Sequence, residues 1–386
     1  MNFEPGDRTL LWEFGYWAGA LRRWYQEGLP ERYGIRGDLV SGASLAGEGM
    51  PSAEVLDAEL KKLFSTKDTR DLDVHECLEL DPGLIMLPIN TSFCQAFTPM
   101  VLEDRDEARI EIDGFGVTKQ VRKSADSISR FISWPVEGRK DFEQLKERLQ
   151  PGLSSRVPDN WKEMVSRYHK RDFPLVAGFC GEGFFGNLRR LMGEMRLFTC
   201  YYDDPGLIKH MNDYFSNLWI GLWDEAFRSV KPDCVWFFED MCYRNGPLIS
   251  PSLFREFMLP YYQKVNSFLD DQGVEVRIVD TDGNCWELLP LFIEAGITAL
   301  SPFEVGAGMD IVKVREMFPQ FGILGGIDKR SLAIGREAID AELDYKLPKM
   351  LKKGGYIPHA DHLVPPNVSW ENFKYYRDRV RTYVCK

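Results

Sequence analysis

The chain has no C-x-x-C pair: its eight cysteines stand apart at 77, 94, 180, 200, 234, 242, 285 and 385. Such scatter disfavours a disulfide framework and reads as reduced, mostly buried thiols. Long apolar runs are missing too, and the opening residues lack the basic-then-apolar order of a signal peptide, so the expectation is a cytoplasmic protein with no membrane span. Basic residues are in deficit, 48 Lys and Arg against 59 Asp and Glu, a net charge of −11. Phosphate backbones are held by clustered cations, which removes nucleic acid from the candidate partners and leaves small molecules and proteins. Histidine is scarce, with five in 386 residues. His75, His169 and His210 fall away from predicted strand ends, which leaves His359 and His362.

What is present is a repeating alternation of strand and helix. Apolar strands are expected at Leu84 to Ile89, Phe173 to Phe179, Cys234 to Phe238, Val276 to Val279, Ile297 to Ser301, Phe321 to Leu324 and Tyr356 to Pro358. Helices are expected at about 185–194, 205–229, 251–270, 286–295, 310–318, 336–353 and 369–383. That rhythm belongs to parallel βα units. Seven strands are one short of a closed barrel, and the aromatic-rich Phe198 to Tyr202 is the candidate for the eighth. The expected fold is therefore an α/β, (β/α)8 TIM barrel, with a doubly wound open sheet as the alternative. One domain spans 1–386. Residues 1–70 form a helical extension, with an amphipathic helix at 52–64. The aromatic set Trp12, Phe14, Tyr16, Trp17, Trp24 and Tyr25 lies on a helix against the barrel or in a lid over an aromatic substrate. Residues 108–136 alternate around the turn Asp113-Gly114, which predicts an insertion formed by a β-hairpin or a small antiparallel sheet.

Polar residues recur at the ends of these strands: Glu239-Asp240, Asp280 and Asp282, Glu304, Asp328, and His359-Ala-Asp361-His362. Each alone reads as a helix cap or loop carboxylate. A barrel gathers all its strand C-termini into one mouth, and the recurrence predicts a single cluster there. Gly181-Glu-Gly183-Phe-Phe-Gly186 matches a dinucleotide fingerprint with Asp203 and Asp204 downstream, but those acids open a helix instead of closing a second strand. The glycines read better as a tight loop.

Asp-Thr-Asp-Gly-Asn (280 to 284), Pro-Phe-Glu (302 to 304), Ala-Gly-Met-Asp (307 to 310), Gly-Gly-Ile-Asp-Lys (325 to 329) and Gly-Gly-Tyr-Ile-Pro-His-Ala-Asp-His-Leu-Val-Pro-Pro (354 to 366) together resemble the uroporphyrinogen decarboxylase superfamily. Weaker similarity extends over about residues 70 to 383. The superfamily also contains corrinoid-dependent methyltransferases. Its methylcobalamin:coenzyme M branch holds zinc with a His-x-Cys-Gly motif and a later cysteine. Here Asp280-Thr-Asp282-Gly283 stands at the first motif and His362 at the last cysteine. The implied metal ligands are Asp280, Asp282, Glu304 and His362, with His359 as a substitute ligand or a catalytic group.

Three carboxylates and an imidazole are harder ligands than thiolates and suit zinc or another divalent ion facing an oxygen substrate. The resemblance then implies an O-demethylase methyltransferase. It would move a methyl group from a small, methoxyaromatic substrate to a corrinoid (cobalamin) on a partner protein, and it leaves a homodimer open. Glu239 and Asp240 are expected to orient substrate or serve as general acid. Tyr243 and Arg244 are candidates for binding a carboxylate, and Asp328 for substrate contact or helix capping. The alternative activity is cofactor-independent decarboxylation of a small or tetrapyrrole acid, which an acid-lined mouth would disfavour by repulsion. A binding barrel without turnover is a third class.

Overall fold

A computed structural model of the protein describes residues 1, 3, 8–32, 71–123, 129–150, 152–178 and 182–384. The expected helix at 52–64, most of the 1–70 extension, and Gly181 of the glycine motif lie outside the described residues. In chain order, strand β1 (Ile85–Met86) precedes an antiparallel group, β2 (Met100–Asp104), β3 (Ala108–Ile112), β4 (Thr118–Arg122) and β5 (Arg130–Ser133). Strands and helices then alternate through β6 (Leu175–Gly178), β7 (Cys234–Phe238), the small pair β8 (Cys242–Tyr243) and β9 (Gly246–Pro247), β10 (Val276–Thr281), β11 (Ala299–Pro302), β12 (Gly322–Leu324) and β13 (Tyr356–Ile357).

Seven of these form one sheet, ordered β1-β6-β7-β10-β11-β12-β13, with every neighbouring pair parallel. The order follows the sequence, as successive right-handed βα units require. The strands are apolar on both faces because helices cover the outside and side chains fill the inside. The inner filling takes one or two residues from each stave: Leu84, Val176, Cys234, Trp236, Ile278, Ala299, Leu324 and Ile357, together with Trp12. The fold is a TIM barrel.

Trp12 shows how the eighth position is filled. Phe198 to Tyr202 do not provide it, because they lie within the helix Glu194–Asp203. Their aromatics occur at helical spacing, and Cys200 and Tyr201 are buried against the outer layer. Instead the segment around residues 9–17 runs extended between the first and last staves. Leu11 O accepts from Asp81 N at 2.9 Å, Gly15 O from Val364 N at 3.0 Å, and Trp17 N donates to Val364 O at 3.0 Å. Leu10, Trp12 and Phe14 alternate towards the inner cluster, which is the period-two pattern of a strand. The helix expected from this aromatic set is confined to Ala18–Gln26. Sealing an indole at this position removes roughly 150–250 Å² from water, worth several kcal/mol.

Of the two forms expected for the insertion the small antiparallel sheet is the one present, and it begins at Met100, earlier than 108. It is a four-stranded antiparallel sheet, β2-β3-β4-β5. Its Asp113-Gly114 turn is as expected: Asp113 Oδ1 accepts from Phe115 N at 2.9 Å and Val117 N at 3.1 Å. The Arg190 guanidinium lies over the rings of Phe115 in this sheet and Phe238 of β7, which ties the insertion to the barrel.

Candidate functional site

The barrel mouth is built around the end of β10. Asp280 is the penultimate residue of that strand, and its backbone oxygen accepts from Glu239 N at 2.9 Å and Asp240 N at 3.2 Å, locking the ends of β7 and β10 together. Asp280 is 4% exposed, and its carboxyl takes a hydrogen bond from the Trp236 side chain and faces the His362 charge. Burial, then the neighbouring Asp282, push this carboxyl's pKa well above the usual range. The chain turns at Gly283, where φ is +75° and a Cβ would meet Cys242 O at 2.5 Å, so only glycine fits.

Asp282 and His362 meet directly, Oδ2 to Nε2 at 3.4 Å. Burial would raise the Asp282 pKa, but His362, followed by Lys329 and Arg189, outweighs it and holds the carboxyl below its usual value. Burial would likewise discharge His362, and Asp282 overcomes that and raises the imidazole above its ordinary value. Phe14 stands over both histidines, 5.7 Å from the His359 ring and 5.6 Å from the His362 ring.

Glu304 joins this pair through the backbone: Oε2 accepts from Gly283 N at 3.1 Å, while Oε1 accepts from Lys329 Nζ at 3.2 Å. Asp361 is sealed beside it. One of its oxygens accepts from Val305 N at 2.9 Å and the other from Lys329 N at 3.0 Å. Asp240 has a φ of +42°, a strained conformation for a residue with a side chain. It is ion-paired with Arg189, which also reaches Glu194 at 3.5 Å. Tyr243 OH donates to Glu194 at 3.1 Å from an exposed position.

Other predicted site residues stand apart from this cluster. Glu239 is fully buried, with Oε1 accepting from Phe184 N at 2.7 Å and Oε2 from Phe185 N at 2.7 Å and Gly186 N at 2.8 Å. Tyr262 OH also donates to it. Its carboxylate anchors the glycine loop behind the mouth. His359 is sealed as well, and Nδ1 donates to Ala360 O at 2.7 Å, since a carbonyl only accepts. Its Nε2 has no partner, and burial pushes its pKa down to about 3, which keeps the ring neutral. Asp328 caps the helix Lys329–Ile334 by accepting from Arg330 N at 2.9 Å, and it grips the Arg330 guanidinium. Arg244 is exposed, and among the described residues no carboxylate pairs with it. Gly183 and Gly186 pack so closely on β7 that a Cβ would lie 2.0 Å and 2.4 Å from Phe238 O. Close packing is therefore the role of the described glycines.

Lys329 and Arg189 were not anticipated as site residues, whereas Asp361 stood in the predicted strand-end cluster and Phe14 in the aromatic set with a lid as its second reading. Lys329 follows the capping Asp328 directly, a position that reads as helix start. The extended course of Phe14 was hidden in an aromatic set read as a helix or a lid, although its alternation with Leu10 and Trp12 was a usable signal.

Asp280, Asp282, Glu304 and His362 fit a divalent ion in donor type, and a carboxyl buried as deeply as that of Asp280 needs a cation or a proton. Convergence is what the arrangement lacks: among the described residues no three His, Cys, Asp or Glu side chains form a group that could hold a metal ion as placed. No helix among the described residues is long and apolar enough to cross a membrane.

No curated protein matches the chain. A methyltransferase from Methanosarcina mazei is similar in fold, with a TM-score of 0.53 and 19% identity over 80% of this chain and 83% of that one. Residues 120–383, more than half of the chain and including every strand from β6 onward, match uroporphyrinogen decarboxylase (URO-D). On that match, and with the barrel and its strand-end motifs in place, the chain belongs to the uroporphyrinogen decarboxylase family.

Proposed function

We propose that the protein is a cytoplasmic, metal-dependent methyltransferase of the O-demethylase type. It moves a methyl group from an oxygen of a small methoxyaromatic substrate to a corrinoid carried by a partner protein. The observation that carries this reading is the mouth's donor set: the paired Asp282 and His362 beside the buried carboxyl of Asp280. Asp280, Asp282, Glu304 and His362 would hold a divalent ion, zinc foremost. When bound, that ion supplies Lewis acidity to the oxygen from which the methyl group departs.

The chain's own groups do the rest. Asp282 fixes the ring orientation of His362. Phe14 offers an aromatic face above the two histidines, suited to a flat substrate ring. Asp240, held at the rim by Arg189, orients substrate, and Tyr243 with Glu194 flanks it. Glu239 and His359 act as positioning residues, the first holding the loop at 184–186 and the second supporting Phe14.

Two assays test the proposal. Methoxyaromatics should methylate cob(I)alamin in the presence of the enzyme. Failure across methoxyaromatics, methylamines and simple methyl ethers ends the methyltransferase reading. Purified protein should carry close to one equivalent of metal, reduced in Asp282→Ala and His362→Ala. Less than a tenth of an equivalent, unchanged by either substitution, removes the ion.

A second reading, decarboxylation of a small acid, gains from one observation. Arg189 and Lys329 neutralise several of the mouth's acids, so the repulsion expected of an anionic substrate is reduced. Release of carbon dioxide from a panel of small carboxylic acids, without cobalamin, would favour it.

A further inference from the structure

A cavity of about 480 Å3 opens at the end of the barrel opposite the mouth. Pro174, Asp233, Val276 and Tyr356 on its wall stand just before or at the first residues of β6, β7, β10 and β13, so it lies under the strand N-termini. Its body is apolar: Leu10, Leu84, Val276, Ile278, Leu324 and Ile357 line it, and all six pack in the barrel's inner cluster. Trp236, level with Ile278 in the sheet, is sealed and bonds to the Asp280 carboxyl at the mouth. The indoles of Trp236 and Trp12, in the same cluster, therefore part the cavity from the mouth.

Polar groups on the wall are already engaged. Thr9 Oγ1 donates to Tyr356 O at 2.9 Å, and Arg8 grips both oxygens of Asp81 at 2.8 and 2.9 Å. Asp233 Oδ2 accepts from Leu175 N at 2.8 Å and from Arg171 Nη2 at 3.0 Å, and Tyr383 OH donates to Asp344. The carbonyls of Gly354 and Gly355 accept from Arg315 Nη2 at 3.3 and 2.8 Å. Met1 also lines the cavity, and burial pushes the pKa of its amino group down, as surroundings hostile to charge do. Protein interiors leave few voids larger than a water molecule, and a buried water makes about three hydrogen bonds, of which this wall offers few. Pockets that hold small ligands run roughly 300–1,000 Å3, and the cavity falls within that range.

We propose that this cavity is a second binding site, for a neutral small molecule with an apolar, ring-sized body. Such a body gains by leaving water for the six aliphatic side chains. An ionised group would find the charged side chains around it already paired, and its desolvation would go uncompensated. The site is separate from the mouth, so it stands whether or not the mouth carries a metal.

Fluorescence titration with N-phenyl-1-naphthylamine, a neutral probe, tests the site. Its anionic relative 1-anilinonaphthalene-8-sulfonate shares the same rings and adds a charge. Wild type should bind one neutral probe per chain, and the sulfonate at least tenfold more weakly. Val276→Phe and Leu351→Trp, at half-buried wall positions, fill the cavity and should each weaken the neutral probe at least tenfold. The control Ile334→Ala, at an exposed helix position, should stay within twofold. No saturable binding of the neutral probe, binding unchanged by both filling substitutions, or equal affinity for the sulfonate overturns the proposal. A second measurement uses wild type alone, so that misfolding of a variant does not matter. Photolabelling with benzophenone followed by peptide mass spectrometry should place the adduct on peptides carrying Leu84, Ile278 or Ile357. Adducts confined to other peptides overturn the assignment.

Discussion

Substituting Arg377 with Met should unlock the barrel's closing segment. Arg377, on the helix Trp370–Val384, and Glu13, on the segment beside the last stave, are paired at 3.0 Å with side chains 1% and 0% exposed. The other Glu13 oxygen accepts from Ala360 N at 2.8 Å, within His359-Ala-Asp361-His362. The pair thus connects barrel closure to the position of His362. Opposite charges at this separation, at an effective dielectric near 20, attract by about 5 kcal/mol. Removing one partner of a buried pair typically costs about 3–5 kcal/mol, because the other charge is left uncompensated. Burial already raises the Glu13 pKa against the influence of Arg377, so the orphaned carboxyl can take up a proton, and the expected loss at pH 7 is nearer 3 kcal/mol. A carboxyl whose folded pKa is raised stabilises most below its unfolded value, and that contribution declines as pH rises towards the folded value. The deficit of Arg377→Met should therefore shrink at pH 5. Urea unfolding of wild type, Arg377→Met and Glu13→Gln/Arg377→Met at pH 5 and 7 reads this directly. The double variant should recover more than half of the loss. A single-variant loss under about 1 kcal/mol, or a double variant no better than the single, refutes the closing role given to this pair.

In metal-free protein, Asp282→Asn should lower the His362 pKa, since burial then acts without the opposing carboxylate; a proton NMR titration reads the shift, and an unchanged value disproves the pairing. The stabilisation linked to His362 is present below its ordinary value and lost as pH rises through the raised one. That linked to Asp282 is present above the usual carboxylate value and lost as pH falls through the depressed one. Melting curves of the variant should lose both slopes. Gly183→Ala should destabilise by several kcal/mol, because its Cβ would press on Phe238 O; a melting temperature near that of wild type would show that the loop yields. Glu239→Ala orphans three backbone N–H groups and should cost about 3 kcal/mol or more. Limited proteolysis should then cut near residues 182–186, and resistance equal to wild type would contradict the anchoring role.

The seven parallel staves, their helices and the ends at which acids recur were readable in the sequence, because strands buried on both faces must be apolar throughout and their polar termini stand out locally. Asp282 and His362 were legible for that reason, 80 positions apart yet on the same end of the barrel. The eighth position was not, since Leu10, Trp12 and Phe14 alternate within an aromatic run that fits a helix equally well. Periodicity alone cannot choose when a segment has no ladder partners in its own neighbourhood. Tertiary structure alone decided which carboxylates are occupied. Glu239 and Asp240 are adjacent, yet one is sealed on the N–H groups of the glycine loop and the other meets Arg189 at the rim. Glu304 is held by a lysine 25 residues away. Pairing and desolvation depend on which chain segments arrive at a point in space, whereas burial pattern depends on the order of residues along the chain, and only the second is written locally.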